Sequence, residues 1–159
     1  NPCPCGHATD PNKHCVCSPP QINKYKRRIS GPLLDRIDLH IELPPIKYDK
    51  LAAEKVGEES KIVKERVSLA RQRQKERFAD EGIGTNSEMN LLQMKKYCQL
   101  DNEAQQILKT AGNNRHLSAR SYHRILKISR TIADLAGSPR YIGASHLAEA
   151  IQYRPRGPG

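Results

Sequence analysis

The sequence predicts a mainly α-helical fold that is preceded by a cysteine-rich loop and one short β-strand. From about residue 59 onward, apolar side chains recur at intervals of three and four, which is the period of amphipathic helices. Residues 37–43 instead alternate apolar and polar side chains, as a half-buried strand does. Four of the five cysteines fall within the first 17 residues, where neither period is present.

Residues 46–153 are expected to hold a long basic helix and, after a glycine-rich linker, three or four shorter helices. The long helix covers about 59–79 and the linker covers 82–86. Side chains able to accept hydrogen bonds from a first helical turn precede the helices, and these expected N-caps are Ser60, Ser87, Asp101 and Ser118. The strongest pattern follows Ser118, and its expected core positions are Tyr122, Ile125, Leu126, Ser129, Ile132, Ala133 and Ala136.

The same patterns divide the chain of 159 residues into four segments. Residues 1–45 combine the cysteines with the strand, 46–86 hold the long basic helix and linker, 87–153 form a helical C-terminal domain, and 154–159 form a disordered tail. No apolar run approaches the roughly 18 residues that a membrane span needs, and the first residues do not resemble a signal peptide. We therefore expect a cytoplasmic protein without a membrane partner.

Two Cys-x-Cys pairs make the first residues a candidate metal site. Cys3 and Cys5 are separated by nine residues from Cys15 and Cys17. Four thiolates on so short a loop can converge on a tetrahedral ion such as Zn²⁺, and four of them leave no open position for catalysis. Two disulfides or four reduced structural thiols are the alternatives. The apparent lack of a signal peptide and the fifth cysteine, Cys98, argue against disulfides.

The formal charge of +10 favours an anionic partner such as nucleic acid. Two groups of basic side chains are candidates for contacting a nucleic-acid strand: Lys24, Lys26 and Arg27 beside an aromatic residue, and Arg71, Arg73 and Lys75 on the long helix. Both groups can equally be the solvated face of a helix.

Arg36 is expected on well-fixed backbone at the start of the predicted strand. A Ser-Gly-Pro turn precedes it at residues 30–32, and Pro44 with Pro45 ends the strand, because proline cannot donate to a ladder. Arg36 lies between Asp35 and Asp38, so it is either a surface ion-pair residue or a rigidly presented guanidinium. The second arrangement suits planar recognition of phosphate.

The segment Pro32-Leu33-Leu34-Asp35-Arg36-Ile37-Asp38 resembles the motif that carries the arginine finger in ring-forming AAA+ ATPases of the Mg-chelatase and MCM helicase group. Together with Asn1-Pro2-Cys3-Pro4-Cys5-Gly6 and Cys15-Val16-Cys17-Ser18, it resembles the Mg-chelatase-like family called ComM or YifB. The resemblance covers nearly the whole chain. It implies the C-terminal part of such a protein: the end of the AAA+ core, a four-cysteine insertion and a helical lid.

The resemblance also implies roles for individual residues. Arg36 is the finger that reaches a neighbouring subunit's site, and Asn1 is the sensor that orients the attacking water. Arg120 is the lid arginine that contacts the nucleotide's phosphate, with Arg124, one turn further on, as the competing assignment. The implied ligands and partners are ATP with Mg²⁺, DNA, and further copies of the protein in a ring, expected to be a hexamer.

The implied function is an ATP-driven motor on DNA, with branch migration or helicase activity during DNA uptake and recombination. A magnesium-chelatase-type motor subunit, a zinc-dependent nucleic-acid-binding module and a structural assembly domain are the alternatives. The sequence of 159 residues contains neither a Gly-x-x-x-x-Gly-Lys-[Ser/Thr] phosphate loop nor an acidic pair for Mg²⁺. We therefore expect no ATP hydrolysis by this chain alone, and any enzyme activity belongs to a longer parent protein.

Overall fold

The computed structural model describes residues 1–34, 36–43, 57–115, 117–138 and 140–154. Most of these residues are helical and no sheet forms among them, so the mainly α-helical fold is confirmed. The chain divides into two compact units, Asn1–Lys55 and Val56–Gly159. The strand end expected at Pro44 and Pro45 lies outside the described residues, as does the expected tail beyond Arg154.

In its described residues the first unit contains the cysteine loop and two short helices, α1 (Pro19–Lys26) and α2 (Gly31–Leu34). Proline occupies the first turn of α1, where its missing N–H leaves no helical hydrogen bond unmade. The Ser18 amide donates to Gln21 Oε1 at 2.9 Å and closes the start of this helix. The helix α2 is a single turn that begins after Ser30, whose backbone oxygen accepts from the amides of Leu33 and Leu34.

The strand expected over residues 37–43 is not formed. Its backbone is irregular, and Ile41 and Leu43 are 65% and 87% exposed. An extended segment needs a neighbouring strand to satisfy its backbone N–H and C=O groups. None of the residues that the structure describes supplies one, so alternation alone does not produce a strand here.

The described residues of the second unit form a bundle of five helices with one short 3₁₀ turn at Asn86–Glu88. The helices are α3 (Ser60–Arg77), α4 (Leu91–Tyr97), α5 (Asn102–Arg115), α6 (Ala119–Leu135) and α7 (Ala144–Gln152). The central element is α6, which packs against α3, α4, α7 and the 3₁₀ turn. Among the described helices, none combines the length and the apolar character required to cross a bilayer.

The N-caps show where local sequence signals were sufficient. Ser118 Oγ accepts from the Ser121 amide at 3.2 Å, and Asp101 Oδ1 accepts from the Ala104 amide at 2.8 Å, so both predicted caps are confirmed.

Two other predicted caps are not caps. Ser87 lies within the 3₁₀ turn, and α4 begins after Asn90. Asn90 forms a reciprocal capping box with Gln93, which Ser87 lacks. Ser60 is the first residue of α3, and Glu59 precedes it.

The core of the second unit is aliphatic with one phenylalanine. On α6, the predicted core residues Ile125, Leu126, Ser129 and Ala133 are buried and Ile132 is partly buried, whereas Tyr122 and Ala136 are exposed, so the prediction was wrong at these two positions. The buried apolar cluster consists of Phe78, Met89, Met94, Cys98, Ala104, Leu108, Ile125, Leu126, Ala133, Ile142, Leu147 and Ala150.

Only the C-terminal half of α3 joins this core. Ala70 and Phe78 are buried as predicted, whereas Val63 and Val67 are 37% and 46% exposed. Gln74, which interrupts the predicted apolar stripe, is also buried, and its Oε1 accepts from the Asn86 amide at 3.4 Å. The first half of α3 therefore extends away from the bundle.

A buried carboxylate joins α3 to α6. Asp134 is fully buried, and Arg77 donates to both of its oxygens, with Nη1 2.8 Å from Oδ2. Asn86 Nδ2 donates to Oδ2 at 2.8 Å, and Arg130 Nε donates to Oδ1 at 3.2 Å. We call these four residues the Asp134 cluster. They connect α3, the 3₁₀ turn and α6 through one acceptor group.

Backbone groups at the end of α6 complete this arrangement. Arg130 is fully buried and donates to the carbonyl oxygens of Ser138 and Arg140, while desolvation lowers its pKa. Arg73 Nη1 donates to the Asp134 carbonyl oxygen at 2.6 Å. A cation in this place is favoured by the helix dipole. The helix ends at Leu135, and Gly137 follows the Ala136 cap with a φ of 81°, which is accessible to glycine at little cost.

A second carboxylate connects the end of α3 to α4. Glu81 accepts from Lys96 Nζ at 2.7 Å, from the Tyr97 hydroxyl at 2.5 Å and from Gln93 Nε2 at 3.1 Å. The hydrogen bond from Lys96, followed by those from Tyr97 and Gln93, lowers the pKa of Glu81 to about 2. This group makes no hydrogen bond to α6 in the part of the chain that is described.

We predict that Ile142→Ala lowers the free energy of unfolding of the second unit by about 2–5 kcal/mol, because Ile142 is fully buried and its truncation leaves a cavity. The control Leu92→Ala removes a side chain that is 77% exposed and should change it by less than about 0.5 kcal/mol. Denaturant unfolding followed by circular dichroism measures both. Equal effects of the two substitutions would contradict the assigned core.

Candidate metal centre and phosphate-contacting arginines

The four N-terminal cysteines converge in the folded chain. The Sγ atoms of Cys3, Cys5, Cys15 and Cys17 all lie within 4.8 Å of one another. Cys3 Sγ is 3.3 Å from Cys5 Sγ and 3.7 Å from Cys15 Sγ, and Cys5 Sγ is 3.6 Å from Cys15 Sγ. All five cysteines of the chain, including Cys98, are free thiols, so the disulfide alternative is not what the structure contains.

Tight turns between the cysteines bring the thiols together. The Gly6 amide donates to the Cys3 carbonyl at 3.0 Å, and the φ of 83° at Gly6 lies in the left-handed region that favours glycine. Further along, the Asp10 amide donates to the His7 carbonyl at 3.1 Å, and Asp10 Oδ1 accepts from the Asn12 amide at 2.8 Å. These turns reverse the chain and return its second Cys-x-Cys pair to the first.

The thiols perturb one another in opposite directions. The backbone amide of His7 and the side chain of Cys3 lower the pKa of Cys5 to about 6. The backbone amide of Cys5 stabilises the Cys17 thiolate, but desolvation and the neighbouring thiols of Cys5 and Cys3 outweigh it and raise the pKa of Cys17 to about 12. Negative charge on Cys17 is therefore disfavoured by its neighbours, and a cation bound at this point would compensate it.

The donor set fits a tetrahedral thiolate site. With a Zn–S distance of about 2.3 Å, neighbouring sulfurs in a regular tetrahedron are about 3.8 Å apart. The three separations among Cys3, Cys5 and Cys15, 3.3–3.7 Å, are close to that spacing, and Cys17 Sγ lies within 4.8 Å of the other three. Cys3 is fully buried and the other three are partly buried, so a bound ion would be largely enclosed by protein. The cluster is compatible with zinc.

Arg36 lies on a tight turn and is exposed. Its amide donates to the Leu33 carbonyl at 2.9 Å, and the next amide, of Ile37, donates to the Leu34 carbonyl at 3.1 Å. These bonds fix the backbone on both sides of Cα. Among the described residues the Arg36 guanidinium makes no ion pair, and Asp35, which flanks it in the sequence, lies outside those residues, so the choice between a surface ion pair and a phosphate-contacting guanidinium stays a prediction.

The other two nucleotide-related residues are placed as follows. Asn1 is exposed and lies two residues before Cys3. Arg120 is exposed and is the second residue of α6, directly after the Ser118 cap. Arg124, the competing residue, is half-buried and already interacts with other residues. Exposure at the first turn leaves Arg120 the more accessible of the two to a ligand.

The structure divides the candidate nucleic-acid residues into two groups. On the first helix, all three candidates are exposed at its C-terminal end: Lys24, Lys26 and Arg27. On α3, Arg71 and Lys75 are exposed, but Arg73 is half-buried against the end of α6.

Helical spacing brings two further exposed lysines onto the face of α3 that carries Arg71 and Lys75. These are Lys61 and Lys64. We call Lys61, Lys64, Arg71 and Lys75 the basic stripe; it runs about 21 Å along the helix.

Sequence reasoning missed the Asp134 cluster. Arg130 and Asp134 lie four residues apart on the buried face of α6, beside the buried Ala133. That placement of two opposite charges inside an apolar stripe was a usable signal for an internal ion pair. Asn86 was assigned to a linker, and its contact with Asp134 depends on tertiary structure.

Known proteins similar to this chain come from one family. The family described as magnesium chelatase, subunit ChlI C-terminal, matches residues 57–154, and that described as magnesium chelatase, subunit ChlI, matches residues 1–51. Competence protein ComM of Haemophilus influenzae is 43% identical over 155 residues, which are 97% of this chain and 29% of that protein.

Two further relatives are named as uncharacterized proteins. The uncharacterized protein YifB of Escherichia coli is 38% identical over 155 residues, and the uncharacterized protein Mb2921c of Mycobacterium bovis is 35% identical over 159 residues. The chain spans 29–30% of the length of these curated relatives. The family matches cover both units, and the motifs around Cys3, Cys15 and Arg36 fall inside them. The chain therefore belongs to the Mg-chelatase-like AAA+ ATPase family of the ComM/YifB type.

Proposed function

We propose that this chain is the C-terminal portion of an ATP-driven ring motor that acts on DNA. In this motor Arg36 acts as the arginine finger in a neighbouring subunit's site, Asn1 orients the attacking water, and Arg120 contacts the nucleotide's phosphates from the lid. The ring is a hexamer in the cytoplasm, and its work is branch migration or unwinding during DNA uptake and recombination. The relative named as a competence protein supports this choice.

The observation that carries the proposal is the presentation of Arg36. Its backbone is fixed by hydrogen bonds at Leu33 and Leu34, its side chain is exposed, and no described carboxylate neutralises it. A guanidinium held in this way offers a planar pair of donors to an external phosphate. The main catalytic effect of such an arginine is to stabilise the negative charge of the phosphoryl group in the transition state.

A magnesium-chelatase-type motor subunit is the second candidate, and the names of both matching families favour it. It would use the same ATPase residues on a porphyrin-carrying partner protein. Dependence of ATP turnover on DNA separates the two functions.

We further propose that the four cysteines bind a structural Zn²⁺ ion. The donor atoms, their spacing and the absence of a fifth nearby ligand group among the described residues support this assignment. The ion would fix residues 3–17, which contain few apolar side chains of their own. It would have no part in the chemical step, because four thiolates occupy all four positions.

We predict that Arg36→Ala lowers ATP turnover of the full-length protein by about 10³–10⁵-fold, because the transferring phosphoryl group loses its external charge stabilisation. Arg140→Ala, at an exposed arginine of the second unit that stacks on Tyr141, is the control and should retain turnover. Turnover is measured with and without forked DNA. Stimulation by DNA supports the DNA motor, and indifference to DNA favours the chelatase-type function.

Mixing two inactive variants tests whether Arg36 acts across a subunit interface. Asn1→Ala disables a subunit's own site, whereas Arg36→Ala disables the site of its neighbour. In an equal mixture about one interface in four joins an intact site to an intact finger, so part of the turnover should return. Failure of the mixture to recover turnover would contradict action in trans.

We predict that the purified protein contains about one zinc ion per chain and that Cys17→Ser abolishes this, since three thiolates hold the ion much more weakly. Cys98→Ser removes the cysteine outside the cluster and should retain full metal content. Affinity should rise with pH, because thiols must lose protons to bind. Elemental analysis and competition with a chelator measure these effects. Equal metal loss in both variants would refute the assigned ligands.

We predict that the basic stripe contacts phosphates of DNA. Removing two cations with Arg71→Ala and Lys75→Ala should reduce the slope of log K against log salt by roughly 1.4–1.8, for single-stranded and duplex DNA respectively. The matched control, Lys95→Ala with Lys109→Ala, removes two exposed lysines from other helices of the same unit. Binding is followed by fluorescence anisotropy over a salt series. The same loss of slope in the control would leave no special role for the stripe.

A further inference from the structure

The Asp134 cluster joins elements that are distant in sequence at one buried carboxylate. Arg77 comes from α3, Asn86 from the 3₁₀ turn, and Arg130 from α6 itself. Arg77 Nη1 also donates to Asn86 Oδ1 at 3.0 Å, so two of the partners are bonded to each other as well as to Asp134. The orientation of α3 on α6 is therefore fixed by directional bonds in addition to apolar packing.

Stability alone is a poor explanation for these charges. Burying an ion pair removes both groups from water, and apolar residues of similar volume are often equally or more stabilising. What an apolar contact lacks is direction, because it permits neighbouring helices to slide or rotate at small cost. Arg77 forms two parallel bonds to one carboxylate, and this geometry accepts a single relative orientation.

The position of α3 and α6 in the chain gives this orientation a consequence. Ser60 begins α3 shortly after the start of the second unit, so α3 is the first described helix of that unit. Arg120 lies at the opposite end of α6, about 21 Å from Asp134 along the helix axis. A tilt of about 5° at the Asp134 cluster moves the other end of α6 by about 2 Å.

We propose that Arg77 and Asp134 are positioning residues: their ion pair holds α3 and α6 in one orientation and thereby sets where Arg120 meets the nucleotide's phosphates. This inference rests on the proposed function of Arg120. It goes beyond that function by naming the contact through which movement of α3 reaches the lid arginine. A displacement of about 1 Å in a catalytic arrangement can reduce the rate by about 10²-fold, so small rotations are sufficient.

The main variant is Arg77→Met in the full-length protein. It removes the bonds from α3 to the Asp134 carboxylate, keeps the bond from Arg73 to the Asp134 carbonyl oxygen, and leaves the carboxylate paired with Arg130, so the buried charge is not abandoned. We expect ATP turnover to fall at least about tenfold, with a small change in the unfolding temperature. Arg77→Lys keeps the charge and should recover part of the turnover, and it also serves if the methionine variant does not fold. The control Glu81→Gln disturbs the carboxylate that bonds α4 and should retain turnover.

Combination with Arg120→Ala identifies the route of the effect. If Arg77 acts through Arg120, the double variant loses no more turnover than Arg120→Ala alone. Additive losses would overturn the proposal and leave Arg77 a merely structural residue. Full turnover in Arg120→Ala would overturn both the proposal and the assignment of the lid arginine.

A distance measurement tests the positioning without relying on turnover. Spin labels are attached through unnatural amino acids at Gln72 in the anchored half of α3 and at Ala119 on α6, both of which are exposed. The label distance should show one narrow distribution in the wild-type protein and a broader or shifted one in Arg77→Met. An unchanged distribution would overturn the proposal even if ATP turnover had fallen, because the fall would then have another cause.

Discussion

Asp134 takes four directed hydrogen bonds on a carboxylate that is fully buried, and three parts of the second unit depend on that group for their relative placement. Removing it would leave Arg77 and Arg130 as buried cations facing each other, an arrangement that is strongly destabilising. The carbonyl groups that Arg130 satisfies at the end of α6 would lose their donor in any rearrangement of that side chain. The rest of the bundle packs apolar side chains around this fixed point.

The basic side chains of α3 differ in what they contact. Arg73 and Arg77 turn toward α6 and satisfy oxygens there, whereas Arg66 is paired with Glu58 at the surface. The basic stripe remains as a line of cations on the outer face. The basic residues of α3 therefore serve two purposes. Those that face α6 hold the bundle together, and those on the opposite face are free to contact an external ligand.

The sequence was sufficient where a signal is local. Helices α5 and α6, their caps at Asp101 and Ser118, and the apolar positions of α6 follow from hydrogen bonding within one turn and from a period that one face must satisfy. The convergence of the four cysteines also follows, because short turns between them allow few other arrangements. The roles of Asn1, Arg36 and Arg120 come from family resemblance and remain predictions.

What could not be predicted depends on partners distant in the chain. Residues 37–43 have the alternation of a strand but no described strand to pair with, and buried Gln74 accepts a hydrogen bond from the amide of Asn86, twelve residues away. The burial of Asp134 requires guanidiniums from positions 57 and 4 residues away in the sequence. A pattern within a single helix or strand cannot predict contacts between residues that are distant in the sequence.

The uneven burial of α3 has a consequence for how this helix persists in water. Its first ten residues, 60–69, are all exposed, whereas its last turns are anchored by Phe78 and Arg77. A free helix of that length is marginal because nucleation is costly, but growth from an existing turn is not. The outer half of α3 is thus propagated from its anchored end, and its amides should open and exchange long before the bundle unfolds. The helical order of residues 60–69 therefore depends on the anchored C-terminal end of α3 and should decrease toward Ser60.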